Sequence, residues 1–264
     1  MTEPQSFFTD GEAYERMMGR WSRTAGAIFL DWLALPPGLR WVDVGCGTGA
    51  FTQVLLDKCA PHEVRALDPS PDQIAYARTT PAAKKVHFQV GDAQALPYGD
   101  REFDAATMAL VITFIPDPAK AIAEISRVVR PGGTIGTYVW DFMGGGSTLQ
   151  PLRQAIEANG IAVPPMPGHA NSTPQALERI FKAASLDQVE TRLIEIDVTY
   201  PDFDVYWSSQ TALANSTVQY LRKMTAAEVE KIKAYLRDRL PTDRTGRIAY
   251  KARASAAKGR VPAD

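Results

Sequence analysis

Two acids and a set of glycines are the residues of this chain whose types and spacing invite chemistry. The run Trp41-Val42-Asp43-Val44-Gly45-Cys46-Gly47-Thr48-Gly49-Ala50 joins an apolar stretch carrying one acid to a glycine-rich turn. A helical pattern through Phe51, Val54 and Leu55 follows. Glycines in such a turn let backbone approach a ligand where any Cβ would collide, and the loop amides lie at the positive end of the next helix. Roughly 20 residues further on, Asp68 closes the run Val64-Arg65-Ala66-Leu67-Asp68, where an acid accepts hydrogen bonds from a ribose diol. Gly45, Gly47 and Ala50 also satisfy G-x-G-x-x-G/A. At this point a nicotinamide dinucleotide and an adenosyl cofactor fit equally well.

Elements that could position these residues alternate along the chain. Short apolar runs predict strands at Trp41–Val44, Glu63–Leu67, Val86–Val90, Phe103–Leu110 and Thr134–Trp140. Helical patterns lie between them at Ala50–Cys59, Pro71–Arg78 and Pro118–Val129. Asp117 can cap the last of these, Pro118 suits its first turn, and Pro131-Gly132-Gly133 is expected to end it. Gly144-Gly145-Gly146 reads as a flexible hinge, followed by a helix near Ser147–Asn159 closed by Gly160. A proline-rich loop leads to a helix opened by Thr173-Pro174, then a long strand, Leu186–Thr199. Thr225-Ala226-Ala227-Glu228 is a capping box opening a helix to about Leu240, and a final strand spans Arg247–Ala256. Its basic residues Arg247, Lys251 and Arg253 read most simply as a solvated strand face.

The expected fold class is therefore α/β: a Rossmann-like, seven-stranded, mostly parallel sheet with helices on both faces and a small helical cap. We expect one domain, with its core at about 37–140, 173–200 and 246–258, and a cap from 1–36, 141–172 and 201–245. A net charge of −1 argues against general nucleic-acid binding, which draws on phosphate neutralisation. No apolar run approaches a membrane span, and the N-terminus lacks a signal peptide's basic start. Cys46 and Cys59 cannot make a disulfide framework, which points to a reduced, cytoplasmic setting. The scattered His62, His87 and His169 give no metal-ligand spacing, so no metal is expected.

Features further along break the tie between cofactors. Gly91-Asp92-Ala93 follows the third strand, Leu96-Pro97-Tyr98 and Phe103-Asp104 come next, and Arg130-Pro131-Gly132-Gly133 precedes the fifth strand. In this order they resemble class I S-adenosylmethionine-dependent methyltransferases, particularly the small-molecule kind called methyltransferase type 11. The resemblance is strongest from Trp41 to Tyr138.

It implies S-adenosyl-L-methionine as cofactor and S-adenosyl-L-homocysteine as product, with a role for each matching position. Asp43 would help hold the methionine ammonium, and Gly45, Cys46, Gly47 and Gly49 would pass backbone along the methionine and ribose. Asp68 would grip the ribose hydroxyls, with Pro69 and Ser70 against the adenine. Asp92 would accept from the adenine amino group, Ala93 would offer an amide, and Met108 would offer its carbonyl to the ammonium. The segment Tyr14–Arg23 looks like an arm folded over the cofactor, with Arg20 meeting the methionine carboxylate and Tyr14 lining the site. Thr113-Phe114 stands where many relatives carry His-His, a departure that bears on the substrate.

Each of these residues also has a plain structural reading. Asp43 would be a satisfied acid at a strand end, Asp92 the start of a turn, and Cys46 a small residue in a tight loop. Methyl transfer is an in-line displacement at a carbon already activated by the sulfonium, so alignment and desolvation can suffice. A base is needed only where the acceptor must lose a proton; His169 and Tyr14 are the candidates, and the spacing assigns neither. The aromatics Trp140, Tyr206 and Trp207, with Asp141, belong to segments expected to roof the site over a small-molecule acceptor. Two other readings stay open: a cofactor-binding protein without transfer, and a nicotinamide-dependent oxidoreductase.

Overall fold

A computed structural model describes residues 20–212 and 216–263, so Tyr14 and the rest of the arm before Arg20 lie outside the described residues. Seven strands form one sheet: β1 (Arg40–Val44), β2 (Glu63–Asp68), β3 (Val86–Val90), β4 (Phe103–Ala109), β5 (Val129–Trp140), β6 (Asp187–Tyr200) and β7 (Ile248–Arg260), in the spatial order β3-β2-β1-β4-β5-β7-β6. The first five pair in parallel, whereas β7 runs antiparallel to both β5 and β6. The two reversals cancel, and β6 points the same way as β1 to β5. Six strands therefore deliver their carboxyl ends to one edge, where open α/β sheets bind ligands.

The central strands β1 and β4 are mostly apolar because both faces are covered: Trp41, Val42 and Val44 are all buried, as are Ala105, Ala106 and Met108. On one face lie α1 (Arg20–Leu33), α2 (Ala50–Cys59) and α3 (Pro71–Ala77). Trp21, Ala25 and Phe29 recur every fourth residue along α1 and turn its buried side to the sheet. Phe29 meets Tyr138 of β5 with ring centroids 5.0 Å apart, and Gly26 leaves room for Phe51, whose ring would lie 2.7 Å from a Cβ there. The opposite face carries α4 (Pro118–Val128) and α6 (Pro174–Ala183), which bury Ile122, Ile125, Leu177 and Phe181.

Asp117 caps α4 by accepting from the Lys120 amide at 3.0 Å, as its sequence predicts. The end of α4 corrects the sequence reading. Val129 is already extended (φ −91, ψ 136) and opens β5, so Pro131-Gly132-Gly133 lies inside that strand. It occupies an irregular step in which Phe103 faces Val129 but Ala105 faces Thr134. A Cβ on Gly133 would fall 2.8 Å from the Asp104 carbonyl, which gives the glycine a packing role in place of a helix stop.

The triple glycine is no hinge either. Asp141 is buried, its Oδ1 accepts from the Gly144 amide at 2.8 Å, and its Oδ2 lies 3.3 Å from the Arg253 guanidinium. The Gly146 carbonyl accepts from the Arg253 amide at 2.8 Å, which welds the segment to β7. That ion pair also consumes part of the basic strand face, and Lys251 reaches Asp197 at 2.8 Å and Glu195 at 3.4 Å. Arg247 and Lys251 are exposed, as a solvated face requires, whereas Arg253 is half-buried against Asp141 and the Gly144 carbonyl.

Four helices lie in the segments expected to form a cap: α5 (Gln150–Ala158), α7 (Phe203–Thr211), α8 (Ser216–Leu221) and α9 (Ala226–Arg239). Among the described residues no helix is long and apolar enough to cross a membrane. The capping box of α9 is complete, with Glu228 N donating to Thr225 Oγ1 and Thr225 N donating to Glu228 Oε2 at 2.7 Å. Thr225→Ala is expected to cost about 1 kcal/mol, the usual worth of such a cap, read as a fall in the thermal unfolding midpoint. No fall would mean that α9 is held by packing of Ile232 and Leu236 instead.

Candidate functional site

The glycine loop is drawn onto the end of β2. The amides of Gly45 and Cys46 donate to the Leu67 carbonyl at 2.7 and 3.0 Å, and Gly47 N donates to Asp68 Oδ2 at 2.9 Å. The other oxygen of Asp68 accepts from Ser70 N at 2.9 Å. One carboxylate thus fixes both the loop and the start of α3, which Ser70 caps. Burial raises the Asp68 pKa, opposed by these two amides. Gly45, Gly47 and Gly49 all have positive φ (76, 53 and 83°), where a side chain is strained. Around Gly47 the space is open: a Cβ would find only Gln73 Oε1, at 3.9 Å. Pro69 is exposed and Ser70 half-buried at the same rim.

Behind the loop, Asp43 is fully buried at the end of β1. Its Oδ2 accepts from Thr52 Oγ1 at 2.6 Å and its Oδ1 from Thr107 Oγ1 at a longer 3.4 Å, so it ties α2 to β4. Neither threonine had a signal in the sequence beyond its place in the first turn of a helix or in a strand. Burial pushes the Asp43 carboxyl up to about 7, opposed by the two hydroxyls and helped by the charge of Asp68. An unfolded aspartate titrates near 3.9, so between roughly pH 4 and 7 the folded chain holds a proton that the unfolded chain has released. Stability must fall as pH rises through that window and level off above it. Asp43→Asn is expected to flatten this decline, seen by comparing unfolding midpoints of both proteins from pH 5 to 8. A wild type that loses no more than the variant would reject the assignment.

Cys46 is buried, and desolvation raises its thiol well above the usual range, so it stays a thiol. Asp92 is exposed and begins a turn, its Oδ1 accepting from Gln94 N at 2.9 Å, while Ala93 is half-buried beside it. The loop is stapled to α4 through Arg127, which donates to the carbonyls of Leu96 and Tyr98 at 3.1 and 2.9 Å. Glu124 completes the staple by accepting from Leu96 N at 3.0 Å.

Met108 requires a correction. It is fully buried, and its carbonyl accepts from Thr137 Oγ1 of β5 at 2.8 Å, away from the glycine loop. Two residues on, Leu110 N donates to the Tyr138 carbonyl on the same side. In a trans peptide the preceding carbonyl points the opposite way, so that of Ala109 faces β1. Leu110 itself has φ +64, a rare conformation for a branched side chain and one that clusters at functional sites. The next residue, Val111, covers Gly45, where a Cβ would lie 2.5 Å from its Cγ2. Ala109, Leu110 and Val111 were missed because nothing in an apolar strand end signals which carbonyl turns inward.

Two of the segments expected over the site meet at the end of β4. Thr113 and Phe114 close a short 3-10 turn after β4, and Gly168 packs directly on the Thr113 carbonyl. His169 follows on a second such turn, half-buried, and so comes to the top of β4. Trp207 does not join it: it stacks on Phe203 and meets Lys233 of α9. Asp141 is consumed by Arg253. Arg20 is exposed and lies over the ring of Trp21 at 4.6 Å, and Trp21 in turn meets Tyr200 at the end of β6; the described contacts of Arg20 do not reach the glycine loop.

Residues 42–136 match the family model of a methyltransferase domain. An uncharacterized methyltransferase of Mycobacterium tuberculosis is 38% identical over 136 residues, 52% of either chain. The chain thus matches about half the length of such curated relatives. Among solved structures, a Bacillus halodurans protein aligns with TM-score 0.59 at 15% identity, covering 90% of this chain and 99% of that one. The phosphoethanolamine N-methyltransferase 2 of Haemonchus contortus, solved with S-adenosyl-L-methionine, aligns with TM-score 0.57 at 17% identity over 96% of this chain and 56% of its own.

Proposed function

We propose that this protein, which carries a methyltransferase domain on the class I methyltransferase fold, transfers the methyl group of S-adenosyl-L-methionine to a small-molecule acceptor. The observation that carries the reading is the use of the loop amides. Those of Gly45, Cys46 and Gly47 are taken by the Leu67 carbonyl and the Asp68 carboxylate, so these three are not free to donate to a pyrophosphate. A cationic ligand with an ammonium and a diol is served by such acids and carbonyls. A dinucleotide is not.

The residues fit that cofactor. Asp68 keeps lone pairs for two ribose hydroxyls, Gly47 leaves its side open, and Pro69, Ser70, Asp92 and Ala93 frame the place of the adenine. Ala109 takes over from Met108 as the carbonyl aimed at the ammonium, with Asp43 behind it. When bound, the cofactor supplies an electrophilic methyl group. The chain's part is to hold the ribose at Asp68, to keep the loop rigid through Asp43, Thr52 and Thr107, and to exclude water beneath Thr113 and Gly168. His169 is the group at the roof that could take a proton from an acceptor. We place the reaction in a reducing, cytoplasmic setting, where Cys46 and Cys59 stay free.

Calorimetric titration with S-adenosyl-L-homocysteine, with NADH as control, tests this. Heat from the former alone is the expected result; heat from NADH alone would overturn the proposal. Labelled cofactor with a metabolite extract then separates transfer from mere binding.

A further inference from the structure

Among the described residues, six that are not glycine hold a positive φ. Five of them, Ala34, Ala60, Arg101, Ser185 and Gln188, are exposed and stand at helix ends, in turns or at the irregular step of β6. Leu110, at φ +64, is the exception: it is buried, and it follows directly on the carboxyl end of β4. A left-handed backbone presses Cβ toward the following carbonyl, so glycine or asparagine is the usual occupant of such a position. The leucine instead sets the burial of its side chain against that strain.

The left-handed step changes the course of the strand. Along β4 the side chains alternate between the two cores: Ala105 and Ala109 on the side of Phe51 and Tyr138, Ala106 and Met108 on the side of Ile122 and Ile135. Leu110 breaks the alternation by joining the side of Ala109, while its amide still donates to the Tyr138 carbonyl at 2.8 Å. Beyond it, Val111 is right-handed (φ −114, ψ −40), lies against Gly45 and leads into the turn Ile112–Phe114. An extended residue at 110 would carry the chain on along β4 and lift Val111 off Gly45. One backbone conformation thus joins two features of the site. Before it stands the Ala109 carbonyl, turned toward β1, and after it the Val111 side chain, seated on the glycine loop.

We infer that Leu110 is a positioning residue for the methionine half of the cofactor: its left-handed backbone holds the Ala109 carbonyl and the Gly45 turn in the arrangement that receives it. The inference rests on the methyl-transfer reading above and adds the residue that sets the geometry of that end of the site.

The test compares two calorimetric probes, S-adenosyl-L-homocysteine and 5′-methylthioadenosine, which keeps the adenine, ribose and sulfur but lacks the amino-acid end. Leu110→Ile preserves volume and apolarity yet adds the β-branch that suits a left-handed backbone least, and Leu110→Val does so where isoleucine fails to fold. Leu110→Asn and Leu110→Gly do the reverse, keeping access to that backbone while giving up apolar packing. The β-branched variants should lose about tenfold in affinity for S-adenosyl-L-homocysteine and stay within about twofold for 5′-methylthioadenosine. Asparagine and glycine should lower the unfolding midpoint but hold both affinities within about threefold. A side chain needed for packing alone gives the opposite order, with asparagine and glycine the poor binders. That order overturns the inference, as does a β-branched variant that binds S-adenosyl-L-homocysteine like the wild type or loses both probes alike. Where 5′-methylthioadenosine does not bind the wild type, the order of the variants toward S-adenosyl-L-homocysteine decides alone. A wild type silent toward S-adenosyl-L-homocysteine sinks the methyl-transfer reading beneath it, a separate and earlier failure.

Discussion

Asp68→Asn lowers the affinity for S-adenosyl-L-homocysteine by about 10- to 100-fold, the equivalent of losing a charged hydrogen-bond partner. The size of the effect follows from the two tasks of one side chain. Its oxygens hold the Gly47 and Ser70 amides at 2.9 Å each, and their remaining lone pairs face the place proposed for the ribose. Asparagine keeps the volume but sets a donor against one of those amides, so the loop loses a tie as the cofactor loses an acceptor. Calorimetry reads the first effect and thermal unfolding without ligand the second. A variant that unfolds earlier yet binds unchanged would make Asp68 a loop tie only. One unchanged in both would remove it from the site.

Gly45→Ala is expected to destabilise the chain by about 2–5 kcal/mol. Two terms add: a left-handed backbone at φ +76, about 1–2 kcal/mol for a residue with a Cβ, and overpacking against Val111, about 1–3 kcal/mol. The pair can be separated. Val111→Ala in the same chain removes both Cγ atoms, at 2.5 and 2.6 Å from the added Cβ, and should restore the packing term while leaving the backbone strain. Denaturant titration of the two single variants and the double variant gives the coupling. Additive losses would show that Val111 yields freely and that Gly45 is needed for its backbone alone.

The strand–glycine–helix core was legible because it obeys local rules. Each strand of the parallel half is an apolar run bounded by turn residues, and Asp117, Thr173 and Thr225 cap their helices as short-range chemistry dictates. What the sequence hid depends on distant partners. Pro131-Gly132-Gly133 carries every local mark of a helix stop, yet it sits in β5 because that strand passes close over Asp104. Gly144-Gly145-Gly146 reads as a hinge until Arg253, more than a hundred residues away, is brought alongside. Helix α7 gave no usable pattern, since it buries little beyond Tyr206 and Gln210, one of them polar. At the site, the glycines and acids could be named as candidates from their types and spacing. Met108 was named for a carbonyl that turns to Thr137 instead, because a strand's alternation is known only once its neighbours are.

The place of β7 bears on how the chain comes to exist. It is the last strand along the chain, yet it lies between β5 and β6, joined to both along most of its length. A ribosome delivers the chain from its amino end, and units fold as they emerge. The half with β1 to β5, glycine loop included, can form early, but β5 then presents an unpaired edge and β6 has no neighbour at all. Contacts this far apart in sequence form slowly. During synthesis, therefore, the cofactor half is ready before the cap half has a sheet to stand on, and the wait ends only when residues 248–260 slide into the gap.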